Sequence, residues 1–282
     1  MPQESVDEGT RNYATTSYRD ELTVVSDPKD PSSASAQTVL LVGGTGRTGR
    51  RAMQQLLDRG VSVRAIVRGS GKLPAGVAGR ANLTVIEADL LSLRNEQLMQ
   101  HVRGCHAVIS CLGHVLTIKG VFGPPRDLVA RATLALCRAI ETLQPPTRVK
   151  LILMSSVSVH RPGRLDTRRG AFERAFVRML CAVLPPAADN QRAADFLIRE
   201  IGSDHAYVQW TVIRPDSLLE GHVSEYTLHE GLVNSIFAPG STNMANVAHF
   251  MCELVTNASA WDAWKFKLPV IINSPAPRSR EL

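Results

Sequence analysis

Between Val42 and Gly49 the chain reads Val42-Gly43-Gly44-Thr45-Gly46-Arg47-Thr48-Gly49, which places glycines at 43, 46 and 49 in a G-x-x-G-x-x-G run. A short apolar stretch, Thr38–Val42, precedes the run, and an amphipathic segment from about Arg47 to Arg59 follows it. In that setting each glycine has its own physical task. Gly43 permits a tight turn, Gly46 lets backbone approach a bound anion, and Gly49 lets the following helix pack close to the strand. The helix start supplies free N–H groups, so a strand–turn–helix unit of this kind is suited to a pyrophosphate. Thr45, Arg47 and Thr48 are the polar side chains at the same turn.

The next informative residues end the second apolar run, Val61–Val67. A dinucleotide with a free 2′-hydroxyl wants an acidic residue some twenty positions past the turn. Here the chain has Arg68-Gly69-Ser70-Gly71-Lys72 instead. Two cations and no acid suit a 2′-phosphate, with Arg47 in reach from the turn, so the expected cofactor is NADP(H). A third run, Leu83–Glu87, leads into Ala88-Asp89-Leu90. Asp89 and Leu90 lie where an adenine would be held, and Asp89 could equally cap a helix beginning near Ser92.

Positioning these residues requires a framework, and the hydrophobic pattern supplies one. Further strands are expected at Ala107–Cys111, Val149–Met154, Val208–Ile213 and Leu268–Ile272. Helices are expected over about Arg126 to Leu143, about Ala188 to Ile201, and Met244–Thr256. Leu128, Val129, Ala132, Leu136, Ala139, Ile140 and Leu143 form one apolar stripe on the first of these, which Pro145-Pro146 ends. Strands alternating with helices predict an α/β fold, a doubly wound parallel Rossmann sheet over residues 37–282. A small C-terminal cap lobe, around 218–241, is expected over the carboxyl ends of the strands, where ligands bind in such sheets. Residues 1–36 are polar and lack periodicity, so they read as a flexible tail.

Composition narrows the function classes. The chain has 282 residues, 44% of them hydrophobic and 21% charged, as in a globular protein. The net charge of +6 gathers partly at Arg161, Arg164, Arg168, Arg169, Arg174 and Arg178. These arginines read as a solvated loop and helix face rather than a base-stacking surface, so nucleic acid is not an expected partner. No run of apolar residues is long enough for a membrane span, and MPQESVDEGT does not resemble a secretory signal. A cytoplasmic location and no membrane partner are therefore expected. The five cysteines never form a C-x-x-C pair, and His222 and His229 have no third ligand at metal spacing, so no metal site is expected. Trp261 and Trp264 are expected to pack the last helix on the sheet.

Gly43–Gly49, Arg68, Asp89-Leu90, Ser155-Ser156 and Arg214-Pro215-Asp216 together resemble the atypical short-chain dehydrogenase/reductase proteins with an NAD(P)H-binding domain. Within that family the likeness is to the NmrA-like proteins and the biliverdin reductase B/flavin reductase group, over about residues 38–275. The resemblance implies that backbone at Cys111, Leu112 and Gly113 runs beside the nicotinamide ribose. It implies that Pro215, Ser217 and Leu218 flank the nicotinamide, that Ser155 contacts the cofactor, and that Ser156 is catalytic. One departure matters. Most short-chain reductases carry Tyr-x-x-x-Lys on the helix after the fifth strand, where the lysine lowers the tyrosine pKa. Here the corresponding slots fall on Pro186 and Asn190, and no Tyr-x-x-x-Lys occurs in the chain.

His160 and Asp166, just past the fifth strand, are weighed as a proton donor against plain surface residues. Tyr226, in the expected cap, is weighed as a proton donor against a pocket wall. The resulting expectation is an NADPH-dependent oxidoreductase that passes hydride to a small conjugated, flavin-like or activated carbonyl acceptor. The alternative is a non-catalytic NADP(H) redox sensor of NmrA-like type. The partner expected is a small-molecule substrate, and the chain is expected to be a monomer or homodimer.

Overall fold

The structure is a computed structural model that describes residues 37–114, 123–161 and 170–274. The expected tail over 1–36, together with Arg164, Asp166, Arg168 and Arg169, lies outside the described residues. The fold begins with β1 (Thr38–Val42), α1 (Arg47–Asp58), β2 (Ser62–Val67), β3 (Leu83–Glu87), α2 (Asn95–Val102) and β4 (Ala107–Ser110). It continues with α3 (Leu128–Leu143), β5 (Val149–Met154), α4 (Ala171–Val183), α5 (Pro185–Phe196) and β6 (Val208–Pro215). The remaining elements are β7 (Ser217–Leu219), β8 (Tyr226–His229), β9 (Ser241–Asn243), α6 (Met244–Thr256), α7 (Ala258–Trp264) and β10 (Val270–Asn273).

Eight strands form one sheet in the order β3-β2-β1-β4-β5-β6-β10-β8. Every pairing in it is parallel except β10 with β8. The fold is therefore the expected doubly wound α/β sheet. β1 sits between β2 and β4, with Val39 in register with Val63 on one side and Ala107 on the other. The strand order reverses there, which opens a crevice at the carboxyl ends of β1 and β4.

Alternation along the strands divides the core. Val39, Leu41, Ile109 and Ile152 face α1 and α6, where they meet Met53, Leu56, Phe250 and Leu254. Leu40, Val42, Val108 and Leu151 face the layer of α2, α3 and α5, where they meet Leu98, Leu136, Ile140 and Ala194. β1 is apolar from Val39 to Val42 because both of its faces are covered there. Trp261 and Trp264 are buried against the first layer, and the Trp264 ring meets Phe250 edge-on at 6.2 Å. Among the described residues no helix is long and apolar enough to cross a membrane.

Several expectations are corrected. Tyr226–His229 is not part of an irregular lobe but the antiparallel edge strand of the main sheet, held by its pairing with β10. β7 and β9 pair with each other as a separate parallel ribbon. Helix α4 forms the helical part of the expected arginine-rich loop and helix face, but it exposes Phe172, Met179 and Val183 as well as charge. α5 starts at Pro185, three residues before the expected boundary, because proline is well placed in a first helical turn.

Candidate functional site

The Gly43–Gly49 turn closes with Gly46 N–H donating to Gly43 O at 3.0 Å. Gly43 has φ +77, and a Cβ there would lie 2.6 Å from the Cys111 carbonyl group. A Cβ on Gly49 would lie 2.2 Å from Gly43 O. These two glycines are thus required by packing between the turn, the helix and the segment after β4. Gly46 differs, since an added Cβ would meet only Gly43 O, at 3.2 Å, with open space beyond. No side chain caps α1 at Gly46, and no acidic residue occupies its first turn. The helix start therefore offers N–H groups and the positive end of its dipole without a protein carboxylate to neutralise them. Around this start Arg47 is exposed, Thr45 half-buried and Thr48 buried. One turn further on, Arg51 pairs with Glu220, just past β7.

At the end of β2, Arg68 and Lys72 are exposed and make no hydrogen bond or ion pair to the described residues. The loop between them is fixed by Glu87, whose Oε1 accepts Ser70 N–H at 2.9 Å. That bonding, with the Ser70 hydroxyl contributing most, holds the Glu87 carboxyl below its usual value. Glu87 thus shapes the loop, a part that sequence reading did not assign it. Asp89 Oδ1 accepts Leu91 N–H at 3.1 Å, which caps the short turn Leu90–Ser92, and Leu90 is buried beside it.

Past β4, Cys111 N–H donates to Val42 O at 2.9 Å, which lays Cys111–Gly113 along the phosphate turn. The Cys111 thiol points away, toward Met251 Sδ at 3.6 Å, and burial pushes it up to about 12. The Cys111 side chain is therefore turned away from the turn, while its backbone runs alongside it. His114 follows, and its Nε2 lies 2.8 Å from Oδ2 of Asp189, which is fully buried. The same carboxylate accepts Val129 N–H at 2.8 Å and Ala130 N–H at 3.0 Å, so it closes the start of α3. Sequence reading missed this group, because His114 and Asp189 are 75 residues apart and only the packing of α5 on α3 unites them.

At the end of β5 the two serines have different surroundings. Ser155 is buried at 7% exposure, and its hydroxyl has no partner among the described residues. Ser110, at the end of neighbouring β4, is likewise buried without a partner. Buried hydroxyls are almost always hydrogen-bonded, so an orphan at a crevice edge points to a group from outside the protein. Ser156 is half-buried, with its Oγ 2.6 Å from Ser158 Oγ. His160 is tied through its backbone, its N–H donating to Gln191 Oε1 at 3.1 Å and its carbonyl accepting from Gln191 Nε2 at 3.0 Å.

The end of β6 anchors loops rather than presenting charge. Arg214 is buried and donates to the carbonyls of Leu268, Val159 and Glu230, each at 2.9 Å. Asp216 Oδ2 accepts Gly240 N–H at 2.9 Å and an Asn234 amide hydrogen at 3.2 Å. Between and beside them, Pro215 is buried, Ser217 exposed and Leu218 half-buried. Tyr226 requires a correction, because it lies on the edge strand β8 of the main sheet rather than in a separate cap lobe. It packs on α6 against Phe250, its hydroxyl lies 2.9 Å from His249 Nδ1, and burial pushes the phenol upward. A phenol so held is a poor proton donor.

These residues fit a dinucleotide. The uncapped helix start, the open space over Gly46 and the orphaned Ser155 hydroxyl all border the carboxyl ends of β1, β4 and β5. The NAD(P)H-binding family profile matches residues 43–258, from the glycine-rich turn to α7. No curated protein matches the chain. Among solved structures, the oxidoreductase ylbE from Lactococcus lactis is similar at 19% identity and a TM-score of 0.61, over 84% of this chain and 91% of that one. A Rossmann-fold NAD(P)-binding family protein from Shigella flexneri is similar at 18% identity and a TM-score of 0.57, over 86% of this chain and 98% of that one. A Streptococcus pneumoniae protein whose proposed activity is NADH-flavin reductase is similar at 17% identity and a TM-score of 0.58, over 84% of this chain and 100% of that one.

Proposed function

The chain belongs to the NAD(P)H-binding family, and from that premise we propose that it is an NADPH-dependent oxidoreductase acting on a small conjugated, flavin-like or activated carbonyl acceptor. The observation that carries the reading is the orphaned Ser155 hydroxyl beside the Ser156–Ser158 pair, on the edge where the phosphate turn also ends. NADPH supplies a hydride from the nicotinamide ring when bound. The start of α1 holds its pyrophosphate, and Arg68 and Lys72, with Arg47, hold the 2′-phosphate. Asp89 and Leu90 border the adenine. Backbone at Cys111–Gly113, the Ser155 hydroxyl, and Pro215, Ser217 and Leu218 border the nicotinamide half.

Ser156 hydrogen-bonds the acceptor as negative charge develops on it, and its short contact with Ser158 supports the hydroxyl in that role. Conjugated acceptors spread the incoming charge, so they need less help from a protein acid than a plain ketone does. That fits a chain with Pro186 and Asn190 in the slots of the usual tyrosine and lysine. The proton that completes the reduction comes from solvent. The same two slots favour the second reading, a redox sensor that binds NADP(H) without turning it over. A panel of flavins, quinones, enones and simple ketones, followed by loss of reduced-nicotinamide absorbance, tests the proposal. Turnover with a conjugated or flavin-like acceptor and little with plain ketones is expected, and tight NADPH binding without oxidation across the panel selects the sensor.

A further inference from the structure

The segment 230–240, which joins β8 to β9, is held at both ends beside the carboxyl end of β6. Its start is held by Arg214, which donates to Glu230 O, and its end by Asp216, which accepts Gly240 N–H. Those two residues flank Pro215, at the carboxyl end of β6, on the nicotinamide side of the proposed site. The segment is thus a strap tied to the site at both ends. Its tip rests on α4, where buried Glu173 accepts Ile236 N–H at 2.6 Å.

At that tip three rings gather. Phe237 stacks on Phe172 with centroids 6.1 Å apart, and tilts against Phe176 at 5.2 Å. The cluster is nonetheless open to solvent, with Phe172 76% and Phe237 57% exposed. Met179 and Val183, also exposed, continue the stripe along α4 at helical spacing from Phe172 and Phe176. Such exposure of aromatic rings is costly unless something covers them.

The exposed parts of these side chains amount to on the order of 400 Å², the size of a functional patch on a monomer and about half of what each partner gives to a standard protein interface. The patch is therefore small for a dimer contact but sufficient for a flat ring system, and its tethers join it to the β6 end of the proposed site. We propose that Phe172 and Phe237, backed by Phe176, form a stacking platform for a planar aromatic acceptor of the isoalloxazine or naphthoquinone class. This inference rests on the oxidoreductase reading and names the residues that select its substrate.

The test uses the full chain with lumiflavin and menadione as probes, each titrated with and without saturating NADP⁺. Phe172→Ser and Phe237→Ser remove exposed rings, so thermal unfolding should stay close to that of the unmodified protein. Each should weaken lumiflavin binding, read by fluorescence quenching, by about tenfold, the equivalent of one lost ring contact with its buried area. Phe237→Tyr, which keeps the ring, should restore binding, and NADP⁺ affinity should not change in any variant. Lumiflavin binding unchanged in both serine variants overturns the platform, as does an unmodified protein that binds NADP⁺ but neither probe. Conversion of a dimer to a monomer, or loss of anionic-vesicle binding, with probe affinity intact would assign the patch to a second copy or to a membrane surface and also overturn it. Failure of NADP⁺ to bind while lumiflavin binds in a ring-dependent way counts against the oxidoreductase reading alone.

Discussion

Replacing Arg68 and Lys72 together by alanine should separate the two nicotinamide dinucleotides. A charge-assisted hydrogen bond to a phosphate contributes about 1.5–3 kcal/mol, but both side chains are exposed and solvent screens them, so the low end applies. The pair should then contribute about 2–3 kcal/mol, a loss of roughly 30- to 150-fold in NADPH affinity. Neither cation has a partner among the described residues, and Glu87 still holds the loop through Ser70 N–H, so the fold should be unaffected. The assay is a fluorescence titration with NADPH and NADH in parallel, at low and moderate salt. NADH affinity should hardly move, and the NADPH loss should shrink as salt rises. Equal losses for the two nucleotides would refute the 2′-phosphate assignment.

The glycines of the phosphate turn should behave in opposite ways. Gly46→Val should abolish nucleotide binding in titrations while leaving the melting temperature nearly unchanged, since its side chain would fill the open space over the turn. Gly49→Ala should lower the melting temperature by several degrees, because a Cβ would lie 2.2 Å from Gly43 O and overpacking costs about 1–3 kcal/mol. Acid should destabilise the fold through two partly buried histidines. Burial holds His249 and His101 below their ordinary value of 6.5, so the unfolded chain binds protons first. Their contribution is fully present above that value and is lost as pH falls through it, so the urea midpoint should drop between about pH 7 and pH 5. His249→Gln should flatten that drop.

The fold was legible because its signals are local. β1 is a continuous apolar run ahead of a glycine turn, and α3 carries a full apolar stripe, so period and punctuation sufficed. The glycine-rich turn after β1 was legible for the same reason, and the family match over residues 43–258 begins at its first glycine. What escaped depends on distant residues. The Asp189 carboxylate serves His114 and the start of α3 only once α5 has packed there. Tyr226 looked like a cap residue because nothing in its neighbourhood announces that Asn273 will pair with it. Arg214 was visible only as part of a motif, and its role in tying three backbone carbonyls from separate loops depends on residues 16 to 55 positions away. The open face of α4 was hidden by its arginines, which drew attention to charge rather than to Phe172, Phe176 and Met179 between them.

The central claim is hydride transfer from bound NADPH to a conjugated acceptor, and single-turnover mixing tests it most directly. The protein, loaded with one equivalent of NADPH under anaerobic conditions, is mixed with a flavin or menadione, using nucleotide deuterated at each face of the nicotinamide C4 in turn. The account predicts loss of one equivalent of reduced-nicotinamide absorbance, matched by one equivalent of reduced acceptor. One deuterated form, and not the other, should slow the step. Ser156→Ala should slow it by about 10- to 1000-fold with NADPH affinity little changed, as for a lost donor to developing charge. NADPH that binds tightly and stays reduced with every acceptor would contradict the account.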